Sequence, residues 1–348
     1  MPPSPPTLQA MSAPEAPALG TARVAVVIPC YKVERQIERV VRGIPDWVGH
    51  VIAVVDASPD GTRAALDALK SAGESRLTIL EHESNQGVGG AMQTGLREAL
   101  KQGVDVVVKI DGDDQMNPAD LPHLVAPLLD GRADVTKGNR YGSRSSVQQM
   151  PLVRIAGNAG LTFLVKAASG YWNIFDPANG YVALRREVLE RLKIERLPKR
   201  YFFESGLIIE LGILRAVVRD VPIEAKYGDE ESNLSVGRTL IGFPPRLFKG
   251  LLRRVFWRHF VHDFSAVSVF LLFGMPLFLG GLFYGAWVWL TLNRQSLASD
   301  VDVFATAGQV MLAAMPMILG FQMLLQAVVL DIGSVPREPI GAPLDERE

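Results

Sequence analysis

Short apolar runs alternate with amphipathic stretches along the first two thirds of the chain. Ala22 to Ile28, with Val24, Val26 and Val27, predicts a buried strand stopped by Pro29-Cys30-Tyr31. Glu34 to Gly43 places Ile37, Val40 and Val41 on one face of a helix. His50 to Val55 predicts a second strand, ending in Asp56-Ala57-Ser58-Pro59-Asp60-Gly61-Thr62, with a helix from Ala64 to Lys70 behind it. Leu77 to Glu81 predicts a third strand that leaves into Asn85-Gln86-Gly87-Val88-Gly89-Gly90, and a helix from Ala91 to Lys101 follows. The β-branched run Val104 to Ile110 reads as a fourth strand and breaks at once into Asp111-Gly112-Asp113-Asp114-Gln115. This alternation predicts an α/β fold with a mainly parallel sheet flanked by helices. Every strand-to-helix exit on one edge is polar or glycine-rich, where open α/β sheets build their sites.

The pattern then loosens. Asp134 to Tyr141 predicts a further strand running into a basic loop, and Val153 to Ala168 a helix with Arg154 and Asn158 one turn apart. Asp176 to Tyr181 is a turn, Arg186 to Leu192 a helix, and Phe202 to Leu214 an apolar stretch interrupted by Glu204 and Glu210. Ala216 to Ile223 is another strand. From Pro244 to Arg258 aromatic and aliphatic residues mix with Arg246, Lys249, Arg253, Arg254 and Arg258, the composition of an interfacial amphipathic helix. Phe264 to Leu292 and Val303 to Leu330 carry no formal charge, and a membrane span needs about 20 apolar residues. The expected organisation is a disordered Pro/Ala-rich leader at 1–20, a catalytic domain at 21–240, a juxtamembrane amphipathic helix at 241–263 and a transmembrane hairpin at 264–331. That hairpin comprises spans 264–292 and 303–330, and a cytosolic tail follows at 332–348. The cations ahead of the first span place both hairpin ends, and the catalytic domain, in the cytoplasm of a multi-pass inner or cell-membrane protein.

Composition narrows this picture only a little. With 36 basic and 37 acidic residues the charge is balanced, which gives no footprint for nucleic acid. The single cysteine, Cys30, excludes an internal disulfide and any cysteine-built metal site. The leader has no basic region followed by an apolar core, so it does not read as a signal peptide.

Three carboxylates around a glycine, at the exit of a buried strand, are costly without a neutralising cation. The residues leave two readings open, a solvated acidic turn and a loop that holds a hard divalent ion against substrate phosphates. Oxygen ligands suit Mg²⁺ or Mn²⁺, and Mg²⁺ commonly takes one or two carboxylates beside phosphates and water. On an extended loop Asp113 and Gln115 point the same way and become the metal ligands, while Asp111 faces a nucleotide sugar. Asp56 is placed to accept from a base, although it also suits a turn or helix cap. Gly87, Gly89 and Gly90 permit close approach of a ligand, or serve simply as turn residues.

The ordered motifs Pro29-Cys30-Tyr31, Asp56 to Thr62, Asn85-Gln86-Gly87, Asp111 to Gln115, Gly138-Asn139-Arg140-Tyr141 and Asp176 to Tyr181 resemble the family-2 inverting glycosyltransferases of GT-A fold. The resemblance spans Ala22 to Leu234, and within the family the chain looks like the polyprenyl-phosphate sugar synthases. It implies a Rossmann-like catalytic domain, a UDP- or GDP-linked sugar donor held by Pro29, Tyr31, Asp56, Gly87 and Asp111, and a lipid phosphate acceptor met by Arg140, Arg154 and Asn158. It implies metal-dependent transfer with inversion, in which Asp111, Asp113, Arg140 and Arg154 carry the chemistry, in cell-envelope glycan biosynthesis. A polyprenyl phosphate is already anionic and needs cations to align it, not a base. A hydroxyl of a lipid-linked glycan is the alternative acceptor; it needs a carboxylate base, for which Asp176 and Glu204 are the candidates. A non-catalytic membrane scaffold on a nucleotide-binding fold is the third reading, and homo-oligomerisation is compatible with all three. The chain departs from the family pattern at Val55 before Asp56, at Lys32-Val33 after the first tyrosine, and at Tyr227 to Leu234. It has no Gln-x-x-Arg-Trp motif of processive polysaccharide synthases.

Overall fold

A computed structural model describes residues 22–140, 152–223, 236–299 and 302–341, without the side chains of 152–158 and 236–241. The expected leader, the basic loop beyond Arg140 and the 227–234 segment lie outside the described residues, as do the Arg154 and Asn158 side chains. The chain divides into two units, residues 1–251 with 336–348, and residues 252–335.

The first unit is built on a mixed seven-stranded sheet of order β3-β2-β1-β4-β6-β5-β7. Its strands are β1 Val24–Cys30, β2 His50–Val55, β3 Leu77–Glu81, β4 Val106–Lys109, β5 Val135–Asn139, β6 Val182–Arg185 and β7 Val218–Pro222. All pairings are parallel except those of β6, which runs against both β4 and β5. The carboxyl ends of the other six strands therefore share one edge with the start of β6. Helices α1 Ile37–Gly43, α2 Thr62–Ser71, α3 Val88–Lys101, α4 Leu121–Leu129, α5 Leu152–Ser169, α6 Arg186–Arg191 and α7 Phe203–Leu214 join the strands. Val26, Ile28, Val51, Ala53, Val106 and Val108 are wholly buried in the main core, as near-continuous β-branched runs require.

Pro29 lies inside β1 instead of stopping it. Cys30 O accepts from Asp56 N on the β2 side, so Pro29, one residue earlier, faces β4. Val27 with Lys109 is the last β1–β4 pair. Lacking an N–H, Pro29 offers no further rung, and β4 is released there into the acidic loop. Helix α4 and strand β6 were not among the predicted elements; β6 has only four residues, too short for a period to stand out.

Helix α8, Val236–Phe256, begins ahead of the amphipathic helix expected at 241–263 and carries Pro244 and Pro245 within it. Leu247 is buried, whereas Phe248, Leu252 and Phe256, spaced by four, are 60%, 55% and 55% exposed. A π-helical turn, Trp257–His262, follows.

The second unit contains α9 Ala266–Ser299 and α10 Ala307–Gly333, both long and apolar enough to cross a membrane. Helix α9 runs through Asn293 and Arg294 to Ser299, so the predicted polar connection starts as helix. Thr306 closes a capping box with Gln309 at the start of α10. The two helices approach through small residues. A β-carbon on Gly281 would fall 2.6 Å from Ala313 O, and one on Gly320 would collide with the Phe278 backbone.

Candidate active site

The exits of β1 and β2 are laced together. Lys32 N donates to Ser58 Oγ (2.7 Å), Val33 N to Thr62 Oγ1 (3.1 Å) and Glu34 N to Asp60 Oδ2 (3.2 Å). Burial opposes the Asp60 charge, yet hydrogen bonds from Ser58, Thr62 and the backbone hold its carboxyl down to about 2. Tyr31 is left 45% exposed above this knot. A cavity of about 510 Å³ opens beside it, lined by Ala57, Ser58, Glu81, His82 and Glu83.

Asp56 turns inward and is 2% exposed. Its Oδ1 meets His82 Nδ1 (2.7 Å) and Gln86 N (2.8 Å), and its Oδ2 accepts from Gly87 N (2.7 Å). Both oxygens of Asp56 are thus engaged within the chain, where they shape the loop after β3. The close approach expected at the glycine cluster is likewise made by the chain itself. Gly87 takes φ 84°, and β-carbons on Gly87 and Gly89 would run into the backbone of Pro198 and Lys199. Gly90 N donates to Lys199 O (2.9 Å), and Gln93 Nε2 to Leu197 O (2.6 Å), pinning the 197–200 segment over the start of α3.

The acidic loop is a turn, not an extended segment. Gly112 packs against β1's exit, where a β-carbon would meet Val33 at 3.2 Å and Pro29 O at 3.4 Å. Asp114 adopts φ 62°, and Arg39 lies 3.3 Å from its carboxylate. Asp113 Oδ1 accepts from Gln115 N (3.1 Å), so alternation along an extended strand no longer relates Asp113 to Gln115. Gln115 is exposed and Asp113 partly so. No group of three or more His, Cys, Asp or Glu side chains among the described residues forms a preformed metal cage. One or two carboxylates completed by phosphates and water need no such cage, and the oxygen donors of this loop fit a hard divalent ion.

Beneath the loop lie two lysines that sequence reasoning passed over. Lys109 ends β4, Lys137 lies in β5, and both pair with Val182 of β6 from either side, which puts them on one face of the sheet. Lys109 is 0% exposed; its Nζ lies 2.6 Å from Asp111 Oδ1 and 3.4 Å from Glu204 Oε1 on α7. Burial works against this ammonium, but Asp111 and Glu204 hold its pKa above the ordinary lysine value. Lys137 donates to Asn179 O, and burial pushes its pKa down to about 8. A charged residue within a β-branched strand run is itself a signal, since lysine is almost never fully buried without a partner.

At the next exit, Arg140 Nε donates to Asp176 Oδ2 (2.8 Å) and an Nη to Oδ1 (3.2 Å). Arg140 keeps 42% of its side chain exposed, while Asp176 keeps 2% and also accepts from Asn179 Nδ2 (3.4 Å). Both candidate bases are thereby tied to cations, Asp176 to Arg140 and Glu204 to Lys109. One sheet edge collects Tyr31, the acidic loop and Arg140.

An α/β sheet of this order, with Tyr31, Arg140 and an acidic loop after β4 on one edge, is of GT-A type. The Glycosyl transferase family 2 model matches residues 25–193. The polyprenol monophosphomannose synthase of Mycolicibacterium smegmatis is 33% identical over 199 residues, 54% of this chain and 71% of that protein. The UDP-N-acetylglucosamine–dolichyl-phosphate N-acetylglucosaminyltransferase of Methanococcus voltae is 29% identical over 241 residues, 66% of this chain and 94% of its own. In fold the chain is similar to the crystal structure of glucosyl-3-phosphoglycerate synthase from Mycobacterium tuberculosis in complex with Mn²⁺, UDP and glucosyl-3-phosphoglycerate. That match has a TM-score of 0.52 at 22% identity, over 68% of this chain and 81% of that one. The chain belongs to glycosyltransferase family 2. Within it, the chain is a glycosyltransferase related to the polyprenyl-phosphate sugar transferases.

Proposed function

We propose that this enzyme moves a sugar from a UDP- or GDP-linked donor to a polyprenyl phosphate at the cytoplasmic face of a membrane, with Mg²⁺ or Mn²⁺ as cofactor. The observation that carries the reading is the meeting, on one sheet edge, of an acidic loop with an arginine whose guanidinium is aligned by a buried carboxylate. Asp113, with Gln115 beside it, would hold the cation; bound there, the ion neutralises the donor phosphates and the leaving diphosphate. Asp111 faces the donor sugar. The cavity by Ser58 and Glu83 takes the base.

Arg140, 42% exposed while paired with Asp176, takes the acceptor phosphate in this reading, a role that suits guanidinium better than ammonium. Arg154 and Asn158, both on α5, complete this reading of the acceptor site. An acceptor that arrives as an anion needs no base. The engagement of Asp176 and Glu204 with cations supports that acceptor over a glycan hydroxyl. The hairpin α9–α10, together with the exposed Phe248, Leu252 and Phe256 stripe, anchors the enzyme where such lipids reside.

The test is to supply membranes carrying the enzyme with labelled nucleotide sugars and identify the labelled lipid. A mild-acid-labile polyprenyl-phosphate sugar is expected. Asp113→Ala should reduce its formation by about 10²–10³-fold, the range seen when one preorganised electrostatic contact to a transition state is lost. Unchanged transfer in Asp113→Ala removes the metal assignment, and label in an elongated glycan instead of a bare lipid phosphate selects the hydroxyl acceptor.

A further inference from the structure

We propose that Lys109 is a positioning residue, a resident cation that occupies the inner seat between Asp111 and Glu204 and so confines the divalent ion to the outer seat at Asp113. This rests on the reading of the acidic loop as the donor and metal loop. Four carboxylates, those of Asp111, Asp113, Asp114 and Glu204, gather around a single strand exit. Arg39 attends Asp114 from outside. Among the described residues the Lys109 ammonium, wholly buried, is the cation within ion-pair distance of both Asp111 and Glu204, at 2.6 and 3.4 Å, while Lys137 on the same sheet face acts on Glu204 from farther off. Two carboxylates of this kind, with no lysine between them, are themselves a good seat for a hard divalent ion.

The ammonium also settles how Asp111 faces the cleft. It takes Oδ1 alone, and Asp111 remains 30% exposed. With one oxygen pinned from below, the carboxylate cannot rotate freely, and Oδ2 keeps a fixed direction. Gly180 leaves room for this arrangement: a β-carbon there would stand 2.5 Å from Lys109 Nζ and 2.9 Å from Asp111 Oδ2. The turn before β6 thus keeps space open for the ion pair. Without the lysine, Asp111 and Glu204 would compete with Asp113 for the divalent ion. The lysine prevents this by being there first.

The experiment titrates full-length enzyme in detergent with Mn²⁺ alone, following free ion by electron paramagnetic resonance, and measures transfer separately. Lys109→Met should bind Mn²⁺ about tenfold more tightly than the unaltered enzyme while transfer falls about tenfold. Adding Glu204→Gln to Lys109→Met should return Mn²⁺ affinity to the starting value, because the inner seat loses its second carboxylate. A merely structural lysine would not tighten metal binding. If Lys109→Met does not stay folded, Gly180→Ala crowds the same ion pair while every charge is retained. It should lower transfer about fivefold, with Mn²⁺ binding tighter than in the unaltered enzyme and thermal midpoint kept. Unchanged or weaker Mn²⁺ binding in folded Lys109→Met or Gly180→Ala overturns the proposal. Asp113→Ala separates the two failures: if it loses Mn²⁺ while the lysine and glycine variants behave as the unaltered enzyme, the loop reading stands and the role of Lys109 falls. If it binds Mn²⁺ normally, both fall.

Discussion

Two wholly buried cations, Lys109 in the first unit and Arg254 in the second, hold carboxylates in different ways. In the second unit Arg254 sends one Nη to Asp331 Oδ1 (2.7 Å) and the other to Oδ2 (2.8 Å), and His259 Nε2 meets Oδ1 at 2.9 Å. His259 Nδ1 reaches Ser265 Oγ (3.1 Å), while Ser268 Oγ donates to His259 O and Arg258 to Ser334 O. Both oxygens of Asp331 are consumed, so the cluster is a staple across the base of the α9–α10 hairpin. In the first unit Lys109 takes Oδ1 of Asp111 alone, and the Asp111 side chain stays 30% exposed. A planar fork closes a carboxylate, whereas a point charge leaves it half open. The same pairing of charges thus closes a carboxylate in one place and leaves one partly open in the other.

The largest effect that would break this contrast lies at the staple. Arg254→Met leaves Asp331 buried without its guanidinium and should cost about 3–5 kcal/mol, read as a lowered thermal midpoint in detergent with Mn²⁺ affinity unchanged. If Arg254→Lys restores the midpoint fully, the fork geometry is irrelevant and the contrast fails. A smaller effect is expected at Glu204→Gln alone, since Lys109 keeps Asp111 and the lost partner stands 3.4 Å away with 19% of its side chain exposed. About 1–2 kcal/mol is expected from chemical unfolding of the intact chain.

The smallest effect concerns a partly buried acid with no ion pair among the described residues, on which Lys137 and Lys166 act from farther off. Asp220 Oδ2 accepts from Phe175 N (2.6 Å), and Oδ1 has no hydrogen-bond partner among the described residues. Burial raises its carboxyl from 3.8 to about 6. The folded state therefore holds this proton more tightly than the unfolded chain, and stability falls as pH rises from 3.8 through about 6. Asp220→Asn keeps the acceptor but cannot ionise. Thermal midpoints taken across that window should fall less steeply in the variant, and identical slopes would remove Asp220 as the source.

The four strands β3, β2, β1 and β4, with their exit loops, were legible because β-branched runs end abruptly in Asp, Gly and Asn. The two long apolar helices were legible because their apolar runs lack formal charge. Beyond β4 the legibility declines for a physical reason. Strand β6 is four residues long and antiparallel, so only its neighbours identify it. Lys109 was visible as an odd residue in a buried run, but its partner Glu204 is tertiary, delivered by α7. The glycines at 87 and 89 announced a close backbone approach without saying by what, and Pro198 and Lys199 turned out to make it. Asp113 and Gln115 looked like alternating residues until the left-handed backbone at Asp114 folded the loop into a turn.

The short segment after the hairpin has a practical consequence for making a water-soluble version. Ile340 N donates to Asp134 Oδ1 (2.8 Å), while Val217 N donates to Oδ2 (2.7 Å), and Gly341 O accepts from the wholly buried Arg185 (3.4 Å). Burial already raises the Asp134 carboxyl. Truncating the chain after Leu251 would remove the greasy helices together with a plug that seals the far flank of the sheet. A secretable or crystallisable version is better made as an internal excision, with a glycine-serine bridge joining 251 to 336.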